Sequence, residues 1–448
     1  MNQAFTLAPS HITPPMSAAR AQEIATSFDL RALPADFLAN PYPVYAALRE
    51  REPVKRMPDG SYFLTRHADL VAVYRDAQTF SSDKQVEFTP KYGAASPLFE
   101  HHTHSLVFND PPLHTRVRKL IMGALTRRAI AGIEPGLSAL VDSLLDRMQA
   151  RGGGDLIEDF ASAIPVEIIG NLLDVPHADR GPLRDWSLAI LGALEPSLTP
   201  AQQARGNRSV TEFLAYLRGL VADRRQHPGD PEHDVLTRLI QGEGSHSHGA
   251  LGGEQLTETE LLQNCVFLLN AGHETTTNLI GNALVALQEW PRAKADLLSN
   301  MERLASDPQG LEACLTLAVD EFLRFESSNQ LGNRRALRAC EVGGVALDAG
   351  ALVTLCIGAA NRDPAQFADP EVLDLCRGDG RHGASGNKHL AFGFGIHQCA
   401  GLSLARLEGR IAIGRFLQRF PAYRLTAAPT RGGRARFRGF LAAPFALT

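Results

Sequence analysis

Apolar residues recur at three- and four-residue intervals along most of the chain, the spacing that lines one face of an α-helix. The pattern predicts helices near 42–51, 67–77, 112–126, 135–150, 158–173, 180–194, 202–226, 257–289, 311–325 and 401–419. Strand-like runs are short, near 61–65, 336–347 and 351–357, with more in the last twenty-five residues. The expected fold class is therefore mainly α with minor β. Residues 81–107 lack clear periodicity and read as a long loop, the first candidate for a lid. Gly/Pro/His-rich breaks at 227–233 and 242–254 separate helices without resembling linkers between independent units. Residues 1–28, with Pro9, Pro14 and Pro15, read as a mobile leader, which leaves 29–448 as a single domain.

Composition narrows the class. Hydrophobic residues are 44% and charged residues 21% of the 448, enough apolar material for a sizeable core. With 45 basic against 49 acidic residues the net charge is −4, and no global field attracts nucleic acid. The isolated Arg431-Gly432-Gly433-Arg434 run does not change that. The N-terminus lacks a secretory pattern and no apolar run is long enough to span a bilayer, so no membrane insertion is expected. Six cysteines without a CxxC pair fit a reducing compartment, read as the cytoplasm.

One cysteine stands apart. Residues 390–401 read Leu-Ala-Phe-Gly-Phe-Gly-Ile-His-Gln-Cys-Ala-Gly and lead into a helix with Leu404, Leu407, Ile411 and Leu417 on one face. Gly393 and Gly395 permit a tight turn and the close approach of a flat ligand, while a helix start favours a thiolate at Cys399. A lone cysteine is more often a small buried side chain, so the loop alone gives a candidate. A dinucleotide fingerprint fails, because Gln398 stands where its third glycine belongs.

Residues 271–276, Ala-Gly-His-Glu-Thr-Thr, set an acid and hydroxyls inside an apolar helix beside Val266, Leu269, Ile280 and Leu284. Gly272 and Thr275 suggest a helix that opens locally; the alternative is a threonine-rich turn packed on a neighbour. His273-Glu274 begins a zinc motif that Thr277 breaks. Glu321 and Arg324 are three residues apart, close enough to pair on one helix face. Asp110-Pro111-Pro112 makes a helix start, after which His114 and Arg118 share a face.

In this order the motifs resemble the cytochrome P-450 family over about residues 30–448. The loop matches F-x-x-G-x-x-x-C-x-G at Phe392, Gly395, Cys399 and Gly401; Ala271–Thr276 is similar to the family's A/G-G-x-D/E-T-T/S, and Asp110–Arg118 to DPPxHxxxR. The resemblance implies a haem held between the long Thr-containing helix and the Cys-loop helix. Cys399 would ligate the iron of haem b, with Phe392, Gly395 and Gly401 shaping the loop. It assigns His114 and Arg118 to one propionate and Arg334 with His397 to the other, Arg335 being Arg334's rival. Glu274 and Thr275 would relay protons to the oxygen being activated, and Glu321 with Arg324 would hold the fold. Val372 interrupts the string that usually carries a third arginine, leaving Arg362 or Arg377 as its substitute.

The activity so implied is a haem-dependent monooxygenase that inserts one atom of O2 into a hydrophobic organic substrate. Electrons would come from NAD(P)H through a separate ferredoxin or flavodoxin with its reductase, docked near Lys119, Arg127 and Arg128. A peroxygenase or isomerase and a non-catalytic haem sensor are the alternatives, and Glu274 with Thr275 weighs against both. Ser328-Asn329-Gln330, where the family commonly has apolar residues, suggests a polar group on the substrate; His101, His102 and His104 read as part of a solvated loop.

Overall fold

Helices carry most of the chain in the computed structural model, which describes residues 16–231, 234–241, 256–377 and 388–447. The architecture is mainly α with minor β, as the apolar periodicity predicts. No helix among the described residues is long and apolar enough to cross a membrane.

The chain gathers into two compact units: Met1–Phe80 with Ser138–Ser162 and Thr275–Thr448, and Ser81–Leu137 with Ala163–Glu274. Each unit is assembled from separated stretches, so no linker composition could announce the division. Two helices, Arg127–Arg151 and Glu258–Glu289, run from one unit into the other.

The first unit holds the strands. Four strands of its larger sheet run in the order Val54–Arg56, Tyr62–Leu64, Leu352–Cys356, Leu331–Ala336, with the middle pair parallel and the outer pairs antiparallel. The apolar faces of these strands bury Leu64, Ala336, Val353 and Leu355 completely. Gly153–Asp155, Pro444–Ala446 and Arg424–Leu425 form a second, three-stranded sheet.

Part of the expected leader belongs to this unit's core. Ala18–Ser27 is a helix capped by Ser17, whose hydroxyl accepts from Arg20 N at 3.2 Å. Ala25 and Phe28 pack into a cluster with Phe37, Tyr42, Tyr45 and Phe63. Its apolar stripe rests on alanines, which hydropathy registers weakly. Residues 1–15 lie outside the described residues.

The second unit is built from helices, and it corrects the reading of 81–107 as a loop. Gln85–Tyr92 and Pro97–His104 are helices, followed by a turn of 3₁₀-helix at Leu106–Phe108. Their buried face is aromatic: Phe88, Tyr92 and Phe108 surround His102, with ring centroids 5.3–5.7 Å apart around the histidine and its neighbours. Tyr92 donates to Ala193 O at 2.6 Å and Lys91 to Glu195 O at 2.7 Å, which pins the segment down. His101 and His102 are each 2% exposed, so the solvated-loop reading fails for both. Histidines counted as polar hid the stripe.

Candidate functional site

In the first unit the cysteine loop is fixed by its own backbone. Cys399 N donates to Phe392 O and Gly393 N to Leu390 O, both at 2.8 Å. Gly393 and Gly395 have φ of 65° and 72°, in the left-handed region that glycine tolerates. At Gly395 a Cβ would fall 2.4 Å from Tyr74 O, so a side chain there would push the loop off its support. Gly395–His397 makes one 3₁₀ turn, and the helix Leu402–Arg419 starts after Gly401.

Around Cys399 the loop presents partly open apolar side chains. Ile396 is 39% exposed, and Phe392 and Phe394 are partly open, each under a guanidinium: Arg406 lies 4.9 Å from the Phe392 ring and Arg75 5.2 Å from that of Phe394. The rival thiols Cys265 and Cys356 are fully buried, and burial pushes each up to about 12, far from thiolate formation at neutral pH. A partly open thiol on an apolar, glycine-cut loop fits an iron porphyrin, whose faces are apolar and whose metal accepts sulfur.

Behind the loop lies a buried charge cluster. Arg324 grips Glu321 with two bonds of 2.8 Å, and Arg377 Nε reaches the same carboxylate at 3.2 and 3.1 Å. Arg324 also donates to the carbonyls of Asn361 and Pro370 at 2.9 Å and of Val372 at 3.0 Å. Arg377, therefore, fills the third place. Arg362 instead serves Phe325 O and Glu371 and stacks on Tyr42 at 3.4 Å. The side chain at 372 is irrelevant to this cluster, because only its carbonyl takes part.

Arg334 sits in the strand Leu331–Ala336 opposite Val353. It is 8% exposed, with its guanidinium 5.2 Å from the Tyr74 ring and one N–H on Asn333 O at 2.8 Å. Ser328, Asn329 and Gln330 each make a hydrogen bond within the chain. Ser328 Oγ donates to Thr275 O at 2.7 Å, Gln330 Nε2 to Ser327 O at 2.7 Å, and Asn329 Oδ1 accepts from Leu331 N at 3.4 Å.

In the second unit His114 is 2% exposed on the helix Leu113–Ala124, with Arg118 one turn on and half-buried. The helix start is set by Asp110, whose carbonyl receives His114 N at 3.0 Å and whose carboxylate takes Ser81 Oγ at 2.5 Å and Ser82 N at 2.8 Å.

The long helix Glu258–Glu289 is unbroken through residues 271–276, so the expected local opening is absent. Gly272 serves close packing instead: a Cβ there would lie 2.5 Å from Ile169 Cδ1 of the helix Ala163–Leu172. Glu274 is 5% exposed. Phe267, Leu268, Ala271, Gly272 and Thr275 form a partly open stripe at helical spacing, between stretches 260–266 and 276–287 that are buried throughout. Burial, with Arg184 nearby, pushes His273 down to about 3, so its imidazole stays neutral.

Comparison with known proteins agrees with these pieces. Residues 191–429 match the family model described as Cytochrome P450. The chain is 32% identical to the biotin biosynthesis cytochrome P450 of Bacillus subtilis over 87% of this chain and 91% of that protein. It is 35% identical to the cytochrome P450 monooxygenase PikC of Streptomyces venezuelae over 90% and 89% of the two chains. The crystal structure of P450BioI in complex with an acyl carrier protein bearing hexadec-9Z-enoic acid superposes with a TM-score of 0.81 at 31% identity, covering 92% of this chain and all of that one.

Proposed function

Because the chain belongs to the cytochrome P450 family, we propose that Cys399 is the thiolate ligand of the haem iron and that Glu274 and Thr275 deliver protons. The activity is haem-dependent monooxygenation, in which one oxygen atom of O2 enters an organic substrate and the other leaves as water. Haem b supplies the oxygen activation, and a thiolate ligand favours O–O cleavage. The chain's residues supply the ligand, the anchors and the protons.

The observation that carries the assignment of Cys399 is its setting: a backbone-locked, partly open, apolar loop that ends at a helix start. Its amide is engaged with Phe392 O, which fixes the backbone from which the sulfur projects. His114 and Arg118 on one helix, and Arg334 with His397 elsewhere, are the cationic or hydrogen-bonding groups that buried propionates need. Phe392, Gly395 and Gly401 shape the sulfur side; Glu321, Arg324 and Arg377 hold the scaffold under it. Glu274, buried on the long helix and next to Thr275 in the chain, is the acid we assign to that relay.

The substrate we assign is a small hydrophobic molecule, consistent with the apolar stripe Phe267, Leu268 and Ala271. Electrons would come from NAD(P)H through a ferredoxin or flavodoxin and its reductase, with the protein in the cytoplasm. A ligand screen that watches the low-spin to high-spin Soret shift, run with free fatty acids and with acyl chains on a carrier protein, names the substrate class.

Reduced protein under carbon monoxide is expected to show the red-shifted Soret band of thiolate ligation, and Cys399→His to abolish it. A variant that keeps the band would overturn the assignment.

A further inference from the structure

The carbonyl of Thr275 receives a hydrogen bond that the helix does not provide. Ser328 Oγ, 53 residues further along, donates to it at 2.7 Å, and Ser328 is 4% exposed. A mid-helix carbonyl has a second lone pair after its intrahelical bond, and the serine hydroxyl takes it.

This bond is the first of three contacts along one helix face. Asn278 comes next, against Gly439: a Cβ on that glycine would fall 1.9 Å from Asn278 Oδ1, so only glycine allows the approach. Asn282, one turn further, donates from Nδ2 to Arg438 O at 3.1 Å and Glu326 O at 3.4 Å. Residues 275, 278 and 282 are spaced three and four apart and therefore share a side of the helix.

The two segments that make these contacts are joined to each other. Arg438 N donates to Ser328 O at 2.8 Å, and the buried Arg438 side chain bonds Glu326 and the carbonyls of Leu38 and Ala39 at 2.8 and 2.7 Å. The two segments therefore hold this face of the helix by hydrogen bonds at Thr275 and Asn282 and by the close approach at Asn278. Ser327 Oγ donates to Leu323 O at 2.8 Å and Gln330 Nε2 to Ser327 O at 2.7 Å, which leaves the contact with Thr275 to the hydroxyl of Ser328.

We infer that Ser328 is a positioning residue for oxygen chemistry: by holding the backbone carbonyl of Thr275 it fixes where the Thr275 hydroxyl points. The inference rests on the reading of Thr275 as a proton relay. Proton delivery depends on hydrogen-bond geometry, and a misplacement of about 1 Å can lower a rate ~100-fold. Loosening the brace therefore diverts reduced oxygen to peroxide without touching the iron ligand.

The test uses the full-length, haem-loaded protein with a surrogate ferredoxin pair and a substrate hit from the spin-shift screen. Ser328→Ala, Ser328→Thr and Thr275→Ala are compared by the share of NAD(P)H electrons recovered as peroxide, by the carbon monoxide band, and by amide hydrogen exchange over 275–279. Ser328→Ala is expected to keep the band, raise the peroxide share several-fold and speed exchange at Leu279 N–H about 10-fold, since a looser turn opens more often. Ser328→Thr, which keeps the hydroxyl, is expected to restore both. A Ser328→Ala protein with wild-type peroxide share and wild-type exchange overturns the inference. If Thr275→Ala leaves the peroxide share unchanged, the relay reading fails, and the exchange rate then decides on its own whether Ser328 holds the turn. Should Ser328→Ala not fold, Ser328→Cys, a weaker donor, takes its place and is judged by the same two outcomes.

Discussion

Arg377 contacts both carboxylate oxygens of Glu321, at 3.2 and 3.1 Å, while Arg324 holds the same two oxygens from one turn along Glu321's own helix. All three side chains are almost wholly buried, so each charge depends on the others. Removing Arg377 takes one of two cations from Glu321 and strips a buried donor from the carbonyls of Ala368, Asp369 and Val372. Arg377→Ala is expected to destabilise the protein by about 3–5 kcal/mol. Arg377→Lys should recover only part, because an ammonium cannot span Glu321 and the carbonyls of Ala368, Asp369 and Val372 together. Urea unfolding followed by circular dichroism measures both, and an Arg377→Ala midpoint equal to wild type would remove Arg377 from the cluster.

Glu274 and Thr275 adjoin on the long helix but differ in setting, the acid buried and the alcohol partly open. If they form one relay, their loss should differ in kind. Thr275→Ala is expected to keep substrate binding and the carbon monoxide band while electrons escape to peroxide. Glu274→Gln keeps shape and removes the ionisable group, and turnover should fall about 100-fold, as for loss of a positioned acid. Product formed per NAD(P)H consumed, against total NAD(P)H consumption, separates the two; equal coupling in all three proteins would count against the relay.

Gly272 and Ile169 mark a close helix crossing within the second unit, where an added Cβ would come to 2.5 Å from Ile169 Cδ1. The clashing atom is the tip of a flexible side chain, so the helix can survive an alanine at a price set by repacking. Gly272→Ala is expected to cost about 1–3 kcal/mol. Ile169→Val, which removes that methyl, should by itself cost about 1 kcal/mol and should restore most of the loss in the double variant. Thermal melting of the four proteins gives the coupling; simple additivity would place the strain elsewhere.

The sequence made the helices, the order of the motifs and the reaction class legible, because apolar periodicity and a ten-residue cysteine loop are local signals. The long helix at 257–289 is observed at Glu258–Glu289, and the cysteine-loop helix at 401–419 as Leu402–Arg419. What escaped depends on partners far along the chain. Arg377 and Arg362 looked equivalent until the carbonyls of 368–372 were seen to wrap Arg377. Gly272 looked like a place for the helix to open, since nothing near it in sequence predicts Ile169 in the space. Helices at 18–27, 85–92 and 97–104 were missed because alanine, tyrosine and histidine carry their buried faces. Ser328 read as a substrate contact for the same reason, its acceptor lying 53 residues away.

Glu408, in the middle of the helix Leu402–Arg419, is 2% exposed, and burial alone pushes its carboxyl from 4.5 up to about 8. The native state therefore holds a proton that the unfolded chain releases above 4.5. Stability drawn from this group is complete below pH 4.5, declines as pH rises, and is exhausted above about 8. At ~1.4 kcal/mol per pH unit over which the two states differ in protonation, the penalty reaches about 3 kcal/mol at pH 7. Glu408→Gln keeps the shape and has no proton to lose. The variant should match wild type at pH 4.5, exceed it by about 3 kcal/mol at pH 7 and by somewhat more at pH 8.5. Urea midpoints at these three pH values decide the matter: a gap independent of pH would mean that Glu408 is ionised in the native protein and finds a cationic partner.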